Sequence, residues 1–226
     1  MPGPWEEHKI LPNTHLGGQK GISTGHAIQL ILDRIQTAWG HGRKVSILLL
    51  DVSGAFDNIS HERLVWNIYM SRLGQFAGWI RLFLTGRTTR LFFTGFISDL
   101  IDTATGIPQG LSLLPILYLI YNTPLIRAPA VRKPGGGETE AFGWVDDAAA
   151  IAVSQSYADN TAVLQEALTK TDRWAATHAS KFAPDKFELI HFTNPRDPDP
   201  MQEVSLGQLS LVPASTPARI LTEDDE

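Results

Sequence analysis

Asp146 and Asp147 stand side by side in the stretch AFGWVDDAAAIAV, where the surrounding residues are apolar or small. An unpartnered buried carboxylate is costly, and two adjacent ones repel each other. Such a pair is tolerable at an exposed turn or where a cation neutralises it. A third carboxylate, Asp51, closes the apolar run KVSILLLDV. If the strands carrying Asp51 and Asp146 are neighbours, the acids meet at one end of a sheet. Hard oxygen ligands with no histidine or cysteine beside them suit magnesium or manganese. Two such ions can clamp the attacking and leaving oxygens of an in-line phosphoryl displacement. Taken alone, the pair fits an ordinary exposed hairpin turn equally well.

The residues after Asp51, in DVSGAFDNIS, are small: Ser53, Gly54 and Ala55. Their lack of bulk leaves backbone N–H groups open to phosphate oxygens. Phe56 then adds a flat wall, and Asp57 reads as a cap for the loop that follows.

The elements that must position these residues are legible from periodicity. STGHAIQLILDRIQTAWGHG reads as a helix capped by Ser23 or Thr24 and ended by Gly40. KVSILLLDV reads as a buried strand ending at Asp51. SHERLVWNIYMSRLG is a second helix, with Ser60 as N-cap and Gly74 as terminator, and AGWIRLFLTGR a short third. TRLFFTGF and DLIDTATG form a hairpin-like excursion. An apolar helix begins near Ser112, with Pro115 in its first turn. APAVRKPGGGETE is a loop. A strand, the Asp146–Asp147 pair and a second strand follow, then the long helix YADNTAVLQEALTKTDRWAATHASK and the strand FELIHF. The tryptophans fall mostly at core spacing. The order predicts an α+β fold, an antiparallel sheet with helices packed on one face.

Composition narrows the function. The chain has 226 residues, 43% hydrophobic and 19% charged, as in an ordinary globular protein. It has no cysteine, which excludes disulfides, thiolate metal sites and cysteine nucleophiles. No apolar run reaches membrane-spanning length, so no membrane partner is expected. The net charge is −5. Residues 196–226 hold two basic and seven acidic residues, so residues 1–195 are balanced. An acidic tail on a neutral body does not exclude nucleic acid, because local patches decide binding.

Three segments, LLLDVSGAFDNISHERL, GIPQGLSLLPILY and GWVDD, in this order and spacing, resemble the reverse transcriptase palm of non-LTR retrotransposons. WAATHASKFAPDKFELIHF is similar to the family's next motif, and HLGGQKGISTGHAI to the end of its fingers. The resemblance covers roughly residues 10–220. It implies an RNA-directed DNA polymerase that joins a dNTP to a DNA primer on an RNA template, using two magnesium ions, with manganese as a substitute. It further implies that Asp51 and Asp146 bind metal, with Asp147 in support because strand alternation turns it the other way. The Val52 backbone would face a metal. Ser53, Gly54 and Ala55 would lie along the triphosphate, and Phe56 would be the steric gate against a ribose 2′-OH. Gln109 would touch the incoming nucleotide, and Gly110 would allow close approach to the template. Trp144 would lie near the primer terminus. Lys186 becomes a candidate proton donor to the pyrophosphate. The implied organisation is a partial fingers segment at 1–44, a palm at 45–195, and a truncated thumb onset with an acidic tail at 196–226. An endonuclease domain and the rest of the fingers and thumb would belong to a longer parent protein. Reverse transcription at a chromosomal target would place that parent in the nucleus, although no basic targeting cluster is present.

The chain departs from the family pattern. Leu111, Ser112 and Leu114 replace the usual Ser, Pro and Ser, and Gln19 and Ile22 stand where arginines are usual. Losing those arginines removes bidentate phosphate contacts. A second reading therefore stays open: a non-catalytic retroelement relic that at most binds nucleic acid.

Overall fold

A computed structural model describes residues 11–107, 113–133, 137–194 and 196. Its main strands are β1 (Lys44–Leu50), β7 (Val131–Arg132), β8 (Glu138–Trp144), β9 (Asp147–Ser154) and β11 (Glu188–Phe192). The shorter ones are β2 (Val52–Ser53), β3 (Thr88–Thr89), β4 (Phe92–Phe93), β5 (Phe96–Ile97), β6 (Ile101–Asp102) and β10 (Lys181–Phe182). The helices are α1 (Thr24–Gly40), α2 (His61–Met70), α3 (Ala77–Leu84), α4 (Leu114–Arg127) and α5 (Tyr157–Thr177). The main strands form a five-stranded sheet in the order β11-β1-β9-β8-β7, with every neighbouring pair antiparallel.

Side-chain alternation sorts the sheet into two faces. Leu48, Leu50, Ala148, Ala150, Ala152 and Leu189 face a core shared with α2, α3, α4 and α5. The small alanines of β9 let Leu164, Ala167 and Leu168 of α5 approach the sheet closely. Val45, Ile47, Phe142 and Ile151 face the other way, onto Ile35 and Ala38 of α1 and onto Leu16. The expectation of helices on one face is thus corrected: α1 covers the second face. The physical reason lies in β1, whose unbroken apolar run must be buried on both sides.

Local signals hold at most boundaries. Ser60 caps α2, its side chain accepting from the Arg63 N–H, and Ser156 caps α5 in the same way from Asp159. The α2 helix stops at Met70 rather than continuing to Gly74, because Ser71 takes up an extended conformation. Pro115 sits in the first turn of α4, which is apolar on nearly every side and accordingly buried. The excursion is a nested hairpin: β3 pairs with β6, and β4 pairs with β5. Three short strands were not expected: β7, and the pair formed by β2 and β10. Trp174 is buried, but Trp66 and Trp79 are 52% and 57% exposed, against the core reading of their spacing. Among the described residues no helix is long and apolar enough to cross a membrane.

Candidate active site

The β1–β9 register brings the acids together. Its last pair is Leu50 with Ala148. Asp51 follows Leu50 and Asp147 precedes Ala148, so both lie at the same end of the sheet. Trp144 pairs with Asp147 and closes the β8–β9 hairpin, leaving Val145 and Asp146 as its two central residues. A two-residue hairpin wants positive φ at its first central position, where glycine is the ordinary choice. Here Val145 supplies it, with φ +57°. A β-branched residue in that region is strained, and such strain concentrates at functional sites.

Asp51 and Asp146 are half-buried, while Asp147 is more open. Burial raises the Asp147 carboxyl above its ordinary range, and the charges of Asp146 and Asp51 push it further. The three acids therefore share one electrostatic field. Among the described residues, no three His, Cys, Asp or Glu side chains stand close enough to enclose a metal ion as they are. The donor chemistry nonetheless fits a hard divalent cation: carboxylate oxygens only, in a mutually repulsive set.

A cation already faces this set. The β2–β10 pair docks residues 181–183 beside Asp51, and the Ala183 N–H donates to the Asp51 carbonyl at 3.0 Å. The turn Pro184–Lys186 then swings the Lys186 ammonium back, so that Nζ lies 3.3 and 3.5 Å from the two Asp51 oxygens. The pair is solvent-exposed and contributes at most about 1 kcal/mol. Its value is placement.

The small residues after Asp51 form a tight loop. Gly54 has φ +57°, and a Cβ there would meet Asn58 Nδ2 at 2.6 Å. Asn58 closes the loop by donating to the Ser53 carbonyl at 3.1 Å. Ser53 and Gly54 are exposed, whereas Val52 is buried and Ala55 and Phe56 are half-buried against the core. The Phe56 ring leans on Tyr118, with centroids 4.8 Å apart. Trp144 is half-buried and packs on the α1 side of the sheet. Gln109 and Gly110, with Leu111 and Ser112, lie outside the described residues.

Sequence reasoning missed three residues that shape this end of the sheet. Tyr118 is fully buried behind Phe56, with its hydroxyl unpartnered among the described residues. Burial raises its pKa, and the charges of Asp146, Tyr121 and Asp147 add to the shift. Asn122, also fully buried, donates from Nδ2 to the Val145 carbonyl at 3.2 Å. His15 is buried against the hairpin where Thr14 and Leu16 bond to Gly143. Asn122 is a polar residue in a largely apolar helix, which was the one signal available.

The sequence matches the family model described as Reverse transcriptase (RNA-dependent DNA polymerase) over residues 8–221. The chain belongs to the reverse transcriptase family. Family members of this kind use divalent metals, in keeping with the carboxylate donors here. Two curated relatives come from Drosophila melanogaster. One, the probable RNA-directed DNA polymerase from transposon X-element, is 27% identical over 90% of this chain and 22% of its own length. The other, the RNA-directed DNA polymerase from mobile element jockey, is 27% identical over 82% of this chain and 20% of its own. The reverse transcriptase chain thus spans about a fifth of the length of these relatives. Among solved structures, apo telomerase from Candida tropicalis truncated from its C-terminal domain superposes with a TM-score of 0.52 at 13% identity, covering 74% of this chain and 35% of that one. That likeness shows a shared fold. The reverse transcriptase resemblance read from the three sequence motifs therefore holds.

Proposed function

We propose that this reverse transcriptase chain is the palm of a retroelement RNA-directed DNA polymerase, extending a DNA primer with dNTPs on an RNA template. The observation that carries the reading is the antiparallel β1–β9 pair, which delivers Asp51 to the Asp146–Asp147 hairpin in a chain of this family. Residues 45–195 would form the palm, with the end of the fingers before them and the onset of the thumb after.

In the reaction the primer 3′-oxygen forms a bond to the α-phosphorus, and the bond from that phosphorus to the pyrophosphate oxygen breaks. Asp51 and Asp146 would hold two divalent ions, magnesium or manganese, beside the Val52 backbone, with Asp147 adding negative potential from the next strand position. Bound there, such ions supply charge neutralisation at the phosphates and acidity to the attacking hydroxyl. The exposed loop Ser53–Gly54 and the adjoining Ala55 leave the triphosphate room to lie along backbone. Phe56, backed by Tyr118, would stand as the wall that a ribose 2′-OH meets. Lys186, held beside Asp51, would give a proton to the departing pyrophosphate. Catalysis of this kind consists mostly of positioning and charge stabilisation.

The test is primer extension on an RNA template by the purified chain, with Mg2+ and then Mn2+. We expect extension that Asp146→Ala reduces by about a hundredfold or more. No extension from a chain shown to be folded would overturn catalysis and favour the relic reading. One observation supports that second reading: Gln19, at a family arginine position, turns its amide onto the His15 carbonyl instead of outward.

A further inference from the structure

We infer that Asn122 is a positioning residue for the carboxylates: together with Gly17 it clamps the strained Val145–Asp146 turn and so fixes where the Asp146 side chain is presented. The inference rests on the proposed role of Asp146 as a metal ligand, and it concerns residues that are not themselves ligands.

Two contacts hold the turn. In the first, Asn122 projects from the largely apolar α4, and its Nδ2 donates to the Val145 carbonyl at 3.2 Å. Its Oδ1 has no partner among the described residues. A fully buried amide that is only half satisfied is expensive, so one bond to one carbonyl is what this side chain supplies. In the second, the segment around Gly17 runs against the hairpin. The Leu16 N–H donates to the Gly143 carbonyl at 2.8 Å, and the Gly143 N–H to the Thr14 carbonyl at 2.9 Å. A Cβ on Gly17 would lie 2.5 Å from the Val145 nitrogen and 3.0 Å from the Trp144 carbonyl carbon. Only glycine permits that approach.

Between these supports, Val145 holds φ +57°, a conformation that valine leaves readily when free to do so. A turn that relaxed would rotate the next residue, and the next residue is Asp146. Asn160 provides the internal comparison. It is equally buried and donates two hydrogen bonds, to the Lys44 carbonyl and Ser46 Oγ, but at the far end of the sheet. An asparagine that is merely structural should behave like Asn160.

The experiment compares Asn122→Leu, Gly17→Ala and Asn160→Leu with the parent chain, using Mn2+ alone as probe. Mn2+ binding is followed by its electron paramagnetic resonance signal, and amide exchange of residues 143–148 by mass spectrometry in metal-free buffer. All three variants are expected to melt earlier. Asn122→Leu and Gly17→Ala should weaken Mn2+ binding by about tenfold or more and speed exchange in 143–148, while Asn160→Leu does neither. Equal Mn2+ affinity and equal exchange for Asn122→Leu and Asn160→Leu would overturn the clamp. If the parent itself binds no Mn2+, the metal reading fails, and the exchange comparison alone decides whether Asn122 holds the turn. Should Asn122→Leu not fold, Gly17→Ala carries the same two readouts.

Discussion

The two ends of the same strands treat polar groups in opposite ways. At one end Ser46, Asn160 and His191 form a buried hydrogen-bonded cluster: Ser46 Oγ lies 2.7 Å from His191 Nδ1, Asn160 donates to Ser46, and the Tyr157 ring packs on the imidazole at 4.8 Å. Ser46, Asn160 and His191 are all buried, and they come from the sheet and α5. At the other end Asp51, Asp146 and Asp147 share a field of like charge, and Lys186 pairs with Asp51. The first end stabilises the fold. The second keeps a like-charge repulsion that a bound cation would relieve, as the proposed function requires. The difference is one of charge: the buried end is neutral hydrogen bonding, and the open end is like charge.

The sharpest way to break the comparison is to remove a group from each end. Asp146→Ala should remove primer extension while changing unfolding stability by less than about 0.5 kcal/mol, since it relieves repulsion and takes nothing out of the core. Asn160→Leu should do the reverse, lowering stability by about 2–3 kcal/mol because Ser46 and the Lys44 carbonyl lose a buried donor. Urea titrations read the stabilities. Similar losses for both variants would mean that the carboxylate end is structural too.

Protonation tests the buried histidines in the same spirit. Burial lowers the His15 pKa from 6.5 to about 4, against a smaller opposing influence of the Val145 backbone. Burial likewise lowers His178 and His191. Each folded pKa lies below its unfolded value, so the unfolded chain binds more protons in the interval between them. Stability is therefore full above about pH 6.5 and is lost as pH falls toward the folded values. For His15 the loss by pH 4 amounts to ~3 kcal/mol. Urea midpoints measured from about pH 7.5 down to about 4.5 should fall steeply, and His15→Gln should flatten that slope. A slope unchanged by His15→Gln would place the acid sensitivity elsewhere.

The sequence makes plain those features that act over a few residues. The apolar run of β1, the hairpin around Asp146 and the cap Ser60 announce themselves because strand alternation and capping chemistry are local. The meeting of Asp51 with the hairpin needs only the assumption that two strands are neighbours. The Lys186 contact is not legible, because it depends on β10, two residues long and without a pattern, pairing with β2. Neither is the second sheet face: α1 buries Ile35 and Ala38 yet leaves Ile28 58% exposed, so its apolar stripe is a poor guide to what it covers. Exposed Trp66 and Trp79 mislead for the converse reason, since helical spacing marks a face and not its partner. The Asn122 bond and the Gly17 approach are contacts far apart in sequence between unlike elements, and no local rule encodes them.

The smallest effect is the most direct reading of the carboxylate end. Burial and the two neighbouring acids raise the Asp147 carboxyl, so its ionised form is the one the fold disfavours. A raised carboxylate contributes stability while protonated and loses it as pH rises through the folded pKa. At neutral pH the charge is therefore a mild burden. Asp147→Asn should raise the melting temperature slightly, by less than about 3 °C, the group being largely open to solvent. Millimolar Mg2+ should raise the melting temperature of the parent chain and raise that of Asp147→Asn less, because a cation that relieves the repulsion has less of it to relieve. Melting curves with and without Mg2+ for both chains measure this directly. A variant less stable than the parent would mean that Asp147 is held by a favourable contact, and that the carboxylate end is already complete without a cation.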